Sequence, residues 1–270
     1  MASCSSEESE ELRVKSEECE PQEVTLKFSL YDVQPLSRAA ISIADVVTRL
    51  DVWIYESGEE VTAIHQSSSD ADFGTVTATL DKTKTYTLYA VGHRVASGSA
   101  TLEDGVILFP DDKVTHSMYY TTTFSPSTTT SLNCLMQRIV AQFQFNTTDQ
   151  KKAEVEKMQF TISNVFDRWS VTAGGTHQLD RVSTFNNVST NQNGTITANI
   201  YAIVTDAQTL HTVTVESFNA SDELVDSRTF TDVPLRNGYK TTYTGTYFTS
   251  IATTGVFSVD DWEEYDVVNF

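Results

Sequence analysis

The chain has little that would stiffen or cross-link it: 3 Cys, 5 Pro and 11 Gly in 270 residues. Three cysteines are an odd number and too few for a disulfide framework. Basic residues are scarce as well, 18 against 37 acidic ones, for a formal charge of −19. A phosphate backbone needs a basic face, and cations scattered through a negative field do not supply one, so nucleic acid is excluded as a partner. No apolar run reaches the ~18 residues a membrane-spanning helix would need. Catalytic signatures are missing too. None of His65, His93, His116, His177 and His211 is spaced like a zinc-binding HExxH pair, and each reads as a surface or strand-edge side chain. There is no Gly-x-Ser-x-Gly elbow, P-loop or dinucleotide fingerprint. The reading is of a non-enzyme without catalytic residues, metal site or cofactor. Glycoside hydrolysis, which needs only two placed carboxylates, is the one reaction class that remains compatible.

What the chain does have is strand after strand. Thr supplies about one residue in seven, beside abundant Val, Tyr and Phe, a composition weighted towards β structure. Val24, Leu26, Phe28 and Leu30 alternate with Thr25, Lys27 and Ser29, the period of a strand buried on one face. Leu50, Val52 and Ile54 repeat the pattern and end at the turn Glu56-Ser57-Gly58-Glu59. Further strands are expected over 73–80, 85–91 and 106–109. A second series is expected over 139–145, 155–165, 195–204, 209–218, 224–230 and 239–248. Turn pairs such as Asn193-Gly194 and Asn237-Gly238, and spacings of about ten residues, point to antiparallel sandwiches rather than βαβ units. One helix is predicted around Asp149 to Glu156, capped by Thr148 or Asp149. A short junction between Ser131 and Arg138 follows the Thr-rich stretch. The fold class is therefore all-β, two antiparallel β-sandwiches in tandem, over 23–134 and 135–270, behind an acidic tether over 1–22.

The tether reading rests on Glu7, Glu8, Glu10, Glu11, Glu17, Glu18, Glu20 and Glu23, which cannot bury enough apolar surface to offset ordering entropy. Within it, Cys4 is followed by Ser5 and Ser6, the beginning of a mature bacterial lipoprotein, with Cys4 as the lipidated residue and the outer membrane as its partner. The apolar signal segment that would precede it does not stand in Met1 to Ser3. Cys134, among Leu132, Leu135 and Met136, reads as a buried small hydrophobe.

Four features in order resemble the fimbrillin family of Bacteroidales, the subunits and anchors of type V fimbriae. They are Cys4-Ser5-Ser6 with its tether, the strand over 24–30 leading to Ser37-Arg38-Ala39-Ala40, Arg138-Ile139-Val140-Ala141-Gln142-Phe143, and Val233-Pro234-Leu235-Arg236-Asn237-Gly238-Tyr239 before Phe257-Ser258-Val259-Asp260-Asp261-Trp262. The resemblance implies transthyretin-like sandwiches, export to the cell surface, and assembly with other fimbrial subunits by strand exchange. It implies protease cleavage between Arg38 and Ala39, which would remove the groove-filling strand of Val24, Leu26, Phe28 and Leu30. The segment 255–270, with Val256, Phe257, Val259 and Trp262, is then the expected donor strand. Host or bacterial surface ligands are further expected partners. The competing reading is a surface lipoprotein that binds carbohydrate, with or without glycosidase activity, for which Trp53 or Trp169 would serve as a platform.

Overall fold

In the computed structural model, the described residues are 21–30, 41–249 and 256–261, and no α-helix occurs among them. The first half supplies β1 (Pro21–Leu30), β2 (Ile41–Ser42), β3 (Arg49–Glu56), β4 (Glu59–Ser67), β5 (Thr75–Asp81), β6 (Tyr86–His93), β7 (Thr101–Glu103), β8 (Val106–Leu108), β9 (Ser117–Phe124) and β10 (Ser131–Arg138). The second supplies β11 (Ala141–Thr147), β12 (Lys157–Ser170), β13 (Gly174–Asn186), β14 (Thr197–Ala202), β15 (Thr209–Phe218), β16 (Leu224–Leu235), β17 (Tyr239–Gly245) and β18 (Val256–Asp261).

Pairing in the two halves follows one scheme. In the first, β1 is parallel to β10 and antiparallel to β5, while β4, β3, β6 and β9 pair antiparallel in that order. In the second, β11 is parallel to β17 and antiparallel to β14, while β13, β12, β15 and β16 pair antiparallel in that order. The alternation seen in the sequence explains the layers. Val24 and Leu26, with Val76, Ala78 and Leu80 of β5 and Cys134 and Met136 of β10, share one core with Leu50, Val52 and Ile54 of β3 and Leu88 and Ala90 of β6. Phe143 and Phe145 of β11 meet Met158, Phe160 and Ile162 of β12 and Val213 and Val215 of β15 in a second core. The hairpin over 56–59 turns as expected, with Ser57 and Gly58 both at positive φ, 51° and 91°.

A third core lies between the halves. β3 turns Asp51, Trp53 and Tyr55 away from the first core, and this outer face is covered. The β7–β8 hairpin, from the first half, extends the sheet of the second by pairing β8 with β12. Trp53, Val91, Ala100, Ile107, Phe109, Ile139, Val140 and Ile203 are all buried there. Buried Asp51 accepts hydrogen bonds from His65 Nδ1 at 2.7 Å, His93 Nε2 at 2.8 Å and the Ala100 amide at 2.8 Å, so it clamps the segment leading into the hairpin. His93 Nδ1 is buried without a hydrogen-bond partner, so the ring is held to Asp51 through Nε2.

Several expectations are corrected here. Residues 149–156 form bends and a turn, not a helix. Ser131–Arg138 is a strand, not a junction: Cys134 and Met136 point into the core between exposed Asn133, Leu135 and Gln137, and the strand runs through residues 134 and 135. His93, His116 and His211 are buried rather than on the surface, because each lies on a covered strand face or beside one and finds a partner. His211 Nδ1, for example, lies 2.8 Å from the Ser163 carbonyl. Trp53 is buried and cannot be a platform, and Trp169 is half-buried against Tyr119 at 5.6 Å. Of the expected tether, Pro21 and Gln22 already belong to β1, paired with Asp81 and Leu80, and residues 1–20 lie outside the described residues. Burial of Cys134 agrees with the sequence reading and pushes its thiol up to about 12.

Two measurements test the seam. Asp51→Ala strands two buried donors, His93 Nε2 and the Ala100 amide, while exposed His65 can turn to water, and is expected to cost about 3 kcal/mol in urea denaturation, with a smaller loss for Asp51→Asn, which keeps an acceptor; equal stability of all three proteins would show that the clamp is not formed. Burial, then the charges of Arg138 and Arg94, hold His116 well below the ordinary value of 6.5. The unfolded chain takes up a proton below that pH that the folded chain refuses, so stability is expected to fall as pH drops below about 6.5. The fall should be smaller in His116→Asn, read from unfolding midpoints at pH 5.5 and 7.5.

Candidate functional site: the first and last strands

The elements singled out in the sequence lie at the two ends of the chain, and the structure holds them differently. β1 is an interior strand. Thr25 to Leu30 pair with Ser131 to Met136 of β10 along one edge, while Pro21 to Lys27 pair with Asp81 to Thr75 of β5 along the other. Ser29 and Leu30 continue that second edge onto β2. Val24 and Leu26 are fully buried, and each contributes about 1.5–3 kcal/mol by leaving water. Phe28 and Leu30 lie opposite Cys134 and Met136 in the ladder. Loss of β1 would open an apolar groove and leave two strand edges unpaired.

β18 is an edge strand. Among the described residues it pairs with β17 alone, antiparallel, from Val256 opposite Thr244 to Asp261 opposite Tyr239. Phe257 is its anchor, half-buried against Phe230 at 5.8 Å and Tyr243 at 5.5 Å between ring centroids. Tyr243 stacks in turn on Phe145, so the contact reaches the core. Val256 and Val259 are exposed, at 68% and 39%. A one-sided ladder with one aromatic anchor holds far less apolar surface than β1 does.

The chain approaching β18 is fixed by a residue whose role the sequence did not reveal. The Asp149 carboxylate accepts backbone N–H bonds from Tyr247 at 2.8 Å, Phe248 at 2.6 Å and Thr249 at 2.8 Å. This is what an N-capping side chain does, and it explains why Asp149 reads locally as a helix start. Its amides come from about a hundred residues downstream, a distance no local pattern encodes. Tyr247, buried beside it, donates its hydroxyl hydrogen towards the carbonyls of Val215 and Asp226, at 3.2 and 3.0 Å. The remaining residues singled out, Cys4, Arg38, Ala39 and Trp262, lie outside the described residues. Among the described residues, no three His, Cys, Asp or Glu side chains come together as a metal site.

The sequence profile of a family described as fimbrillin-A associated anchor proteins Mfa1 and Mfa2 matches residues 16–268. No curated protein sequence matches the chain. Among solved structures, a candidate polysaccharide-binding protein from Bacteroides thetaiotaomicron is similar at 11% identity with a TM-score of 0.55, covering 90% of this chain and 99% of that one. A candidate adhesin from Bacteroides ovatus is similar at 13% identity with a TM-score of 0.54, covering 90% and 95%. The fimbrial anchor protein Mfa2 from Porphyromonas gingivalis aligns at 12% identity with a TM-score of 0.47, covering 90% and 98%. At these identities the first two show a shared fold.

The contrast between the end strands is measurable. Leu26→Ala is expected to cost about 3 kcal/mol, by lost transfer energy and the cavity left behind, and Phe257→Ala about 1 kcal/mol. Removing residues 256–270 should leave a cooperatively folding protein. A larger loss at Phe257 than at Leu26 would show that β18, not β1, is integral to the fold.

Proposed function

Since the chain belongs to the family of fimbrillin-A associated anchor proteins, we propose that it is a structural and adhesive component of a cell-surface fimbria, exported as a lipoprotein and joined to other subunits by strand exchange. Its family and relatives are fimbrial and adhesin proteins rather than enzymes. In this reading Cys4 carries the lipid, the residues ahead of β1 tether the protein to the outer membrane, and two transthyretin-like sandwiches follow. The repeated pairing scheme supports the two-unit division, with the changeover just after Arg138.

The observation that carries the proposal is the inequality of the end strands. β1 fills a groove between two strands and is joined to the rest of its unit through residues 31–40, where Arg38 stands. A cut between Arg38 and Ala39 would leave β1 held by non-covalent contacts alone. β18 has one paired edge among the described residues and two exposed valines, so it can leave its own sheet at low cost and offer Val256, Phe257 and Val259, with Trp262 beyond, to the groove of a neighbour. The incoming strand would restore both the backbone pairing and the side chains that Val24, Leu26, Phe28 and Leu30 had supplied. The family description favours a second reading, in which β1 stays in place, the last residues complete their own fold, and the chain is an anchor.

An arginine-specific protease separates the two. Strand exchange expects early cleavage at Arg38, a mature chain beginning at Ala39, and displacement of β1 by a peptide of residues 255–270, followed by native mass spectrometry. Native cells bearing a lipid on Cys4 in the full-length chain would establish the anchor reading. Early cutting inside the strands with Arg38 intact, and no uptake of the peptide, would overturn exchange by this route.

A further inference from the structure

A cleft of about 400 Å³ opens beside the seam between the halves. Its walls come from the segment 113–116 with Arg94, from β13 over 181–185, and from Asn199, Ile200 and Tyr201 of β14. Its charge is opposite to that of the protein. Arg94, Lys113 and Arg181 all line it, and among the described residues no Asp or Glu does, in a chain with about twice as many acidic as basic residues.

These cations are not spent on partners. Arg181, only 8% exposed, gives its Nη1 and Nη2 hydrogens to the carbonyls of Asp112 and Val114, at 3.2 and 3.0 Å. Arg94 Nη2 reaches the Asp45 carbonyl at 3.3 Å. The Nε atoms of both arginines are buried without a hydrogen-bond partner. Among the described residues none of the three cations forms an ion pair. Asp112 and Asp167 act on Arg181 only at a distance. Carbonyl bonds hold the guanidinium groups in place, and among the described residues no carboxylate bonds to them directly.

We propose that this cleft binds the carboxylate end of an acidic sugar. The net charge of −19 repels a polyanion approaching from solution, but it penalises a ligand with a single negative charge much less. The volume lies within the range of small-molecule sites and would be mostly empty around a bare inorganic anion. The rest of the lining suits a saccharide: Ser183 and Thr184 offer hydroxyl groups for sugar hydroxyls, and the ring of Tyr201 is held by its stack on His116, 5.9 Å away and 6° from parallel. Lys113 is exposed and Arg94 half-buried, so the cleft offers a carboxylate one cation on a solvated stem and one held by a carbonyl bond. The proposal stands whether or not the chain exchanges strands.

Calorimetric titration of the full chain with glucuronate and with N-acetylneuraminate, beside glucose and acetate, tests it. At least one acidic sugar is expected to bind about tenfold or more tightly than either control, and to weaken as salt is raised. Arg94→Gln with Lys113→Glu should lower that affinity about tenfold or more while leaving the melting temperature unchanged, since neither side chain belongs to a core. Amide shifts in a labelled sample should gather at residues 113–116, 181–185 and 199–201. Glucose binding as tightly as the acids, acetate alone matching them, shifts elsewhere, or no binding at millimolar concentration would each overturn the assignment.

Discussion

The outer face of the β3–β6–β9 layer is the surface on which the relation between the two halves depends. A strand layer with one face in a core ordinarily turns the other to water. Here that second face is apolar, and the β7–β8 hairpin, Ile139, Val140 and Ile203 cover it. The covering hairpin grows from the first half but pairs with β12 of the second, so neither half can withdraw without breaking a ladder as well as a core. Arg181 adds a polar tie from β13 to the carbonyls of Asp112 and Val114. The cleft and its cations exist only because these segments are held together.

Two carboxylates solve the same problem at different places. Asp51 and Asp149 each accept three hydrogen bonds, and each gathers segments distant in the chain. A carboxylate has lone pairs enough for three donors and loses little by leaving water when all are satisfied. The first fixes the approach to the hairpin and the second the approach to the last strand. Loops of irregular path are thereby given defined ends.

Much of the strand content was legible in the sequence because alternation is local. β1 and β3 announce themselves by Val24, Leu26 and by Leu50, Val52, Ile54. Alternation says which side chains share a face, but not whether the opposite face is covered. The burial of Asp51 therefore has no sign in the sequence, and His93 reads as a surface or strand-edge residue when it is buried. β10 was hidden because its inward residues, Leu132, Cys134 and Met136, are separated by an apolar Leu135 that blurs the period. Asp149 was misread for a related reason: the chemistry of a cap was recognised, but the amides it caps are supplied by tertiary structure. The repeated pairing scheme left no trace, since it consists of contacts between positions far apart whose side chains need share only polarity. The residues of the cleft were invisible for the same cause: Arg94, Lys113 and Arg181 come from three separate segments.

The direction of β1 has a mechanical meaning. It runs parallel to β10 over six pairs, and β10 leads at its far end straight into the second half. A pull on the chain ahead of β1 is therefore opposed by a pull at the other end of β10, and the two neighbouring strands are dragged past one another lengthwise. In that geometry the rungs share the tension, whereas in a hairpin pulled from its open end they break singly, in succession. The antiparallel contact with β5 along the opposite edge holds β1 from its other side. Force arriving from the N-terminal side meets a shear-loaded clamp, so the strand that opens the sequence is also the one built to resist being pulled out.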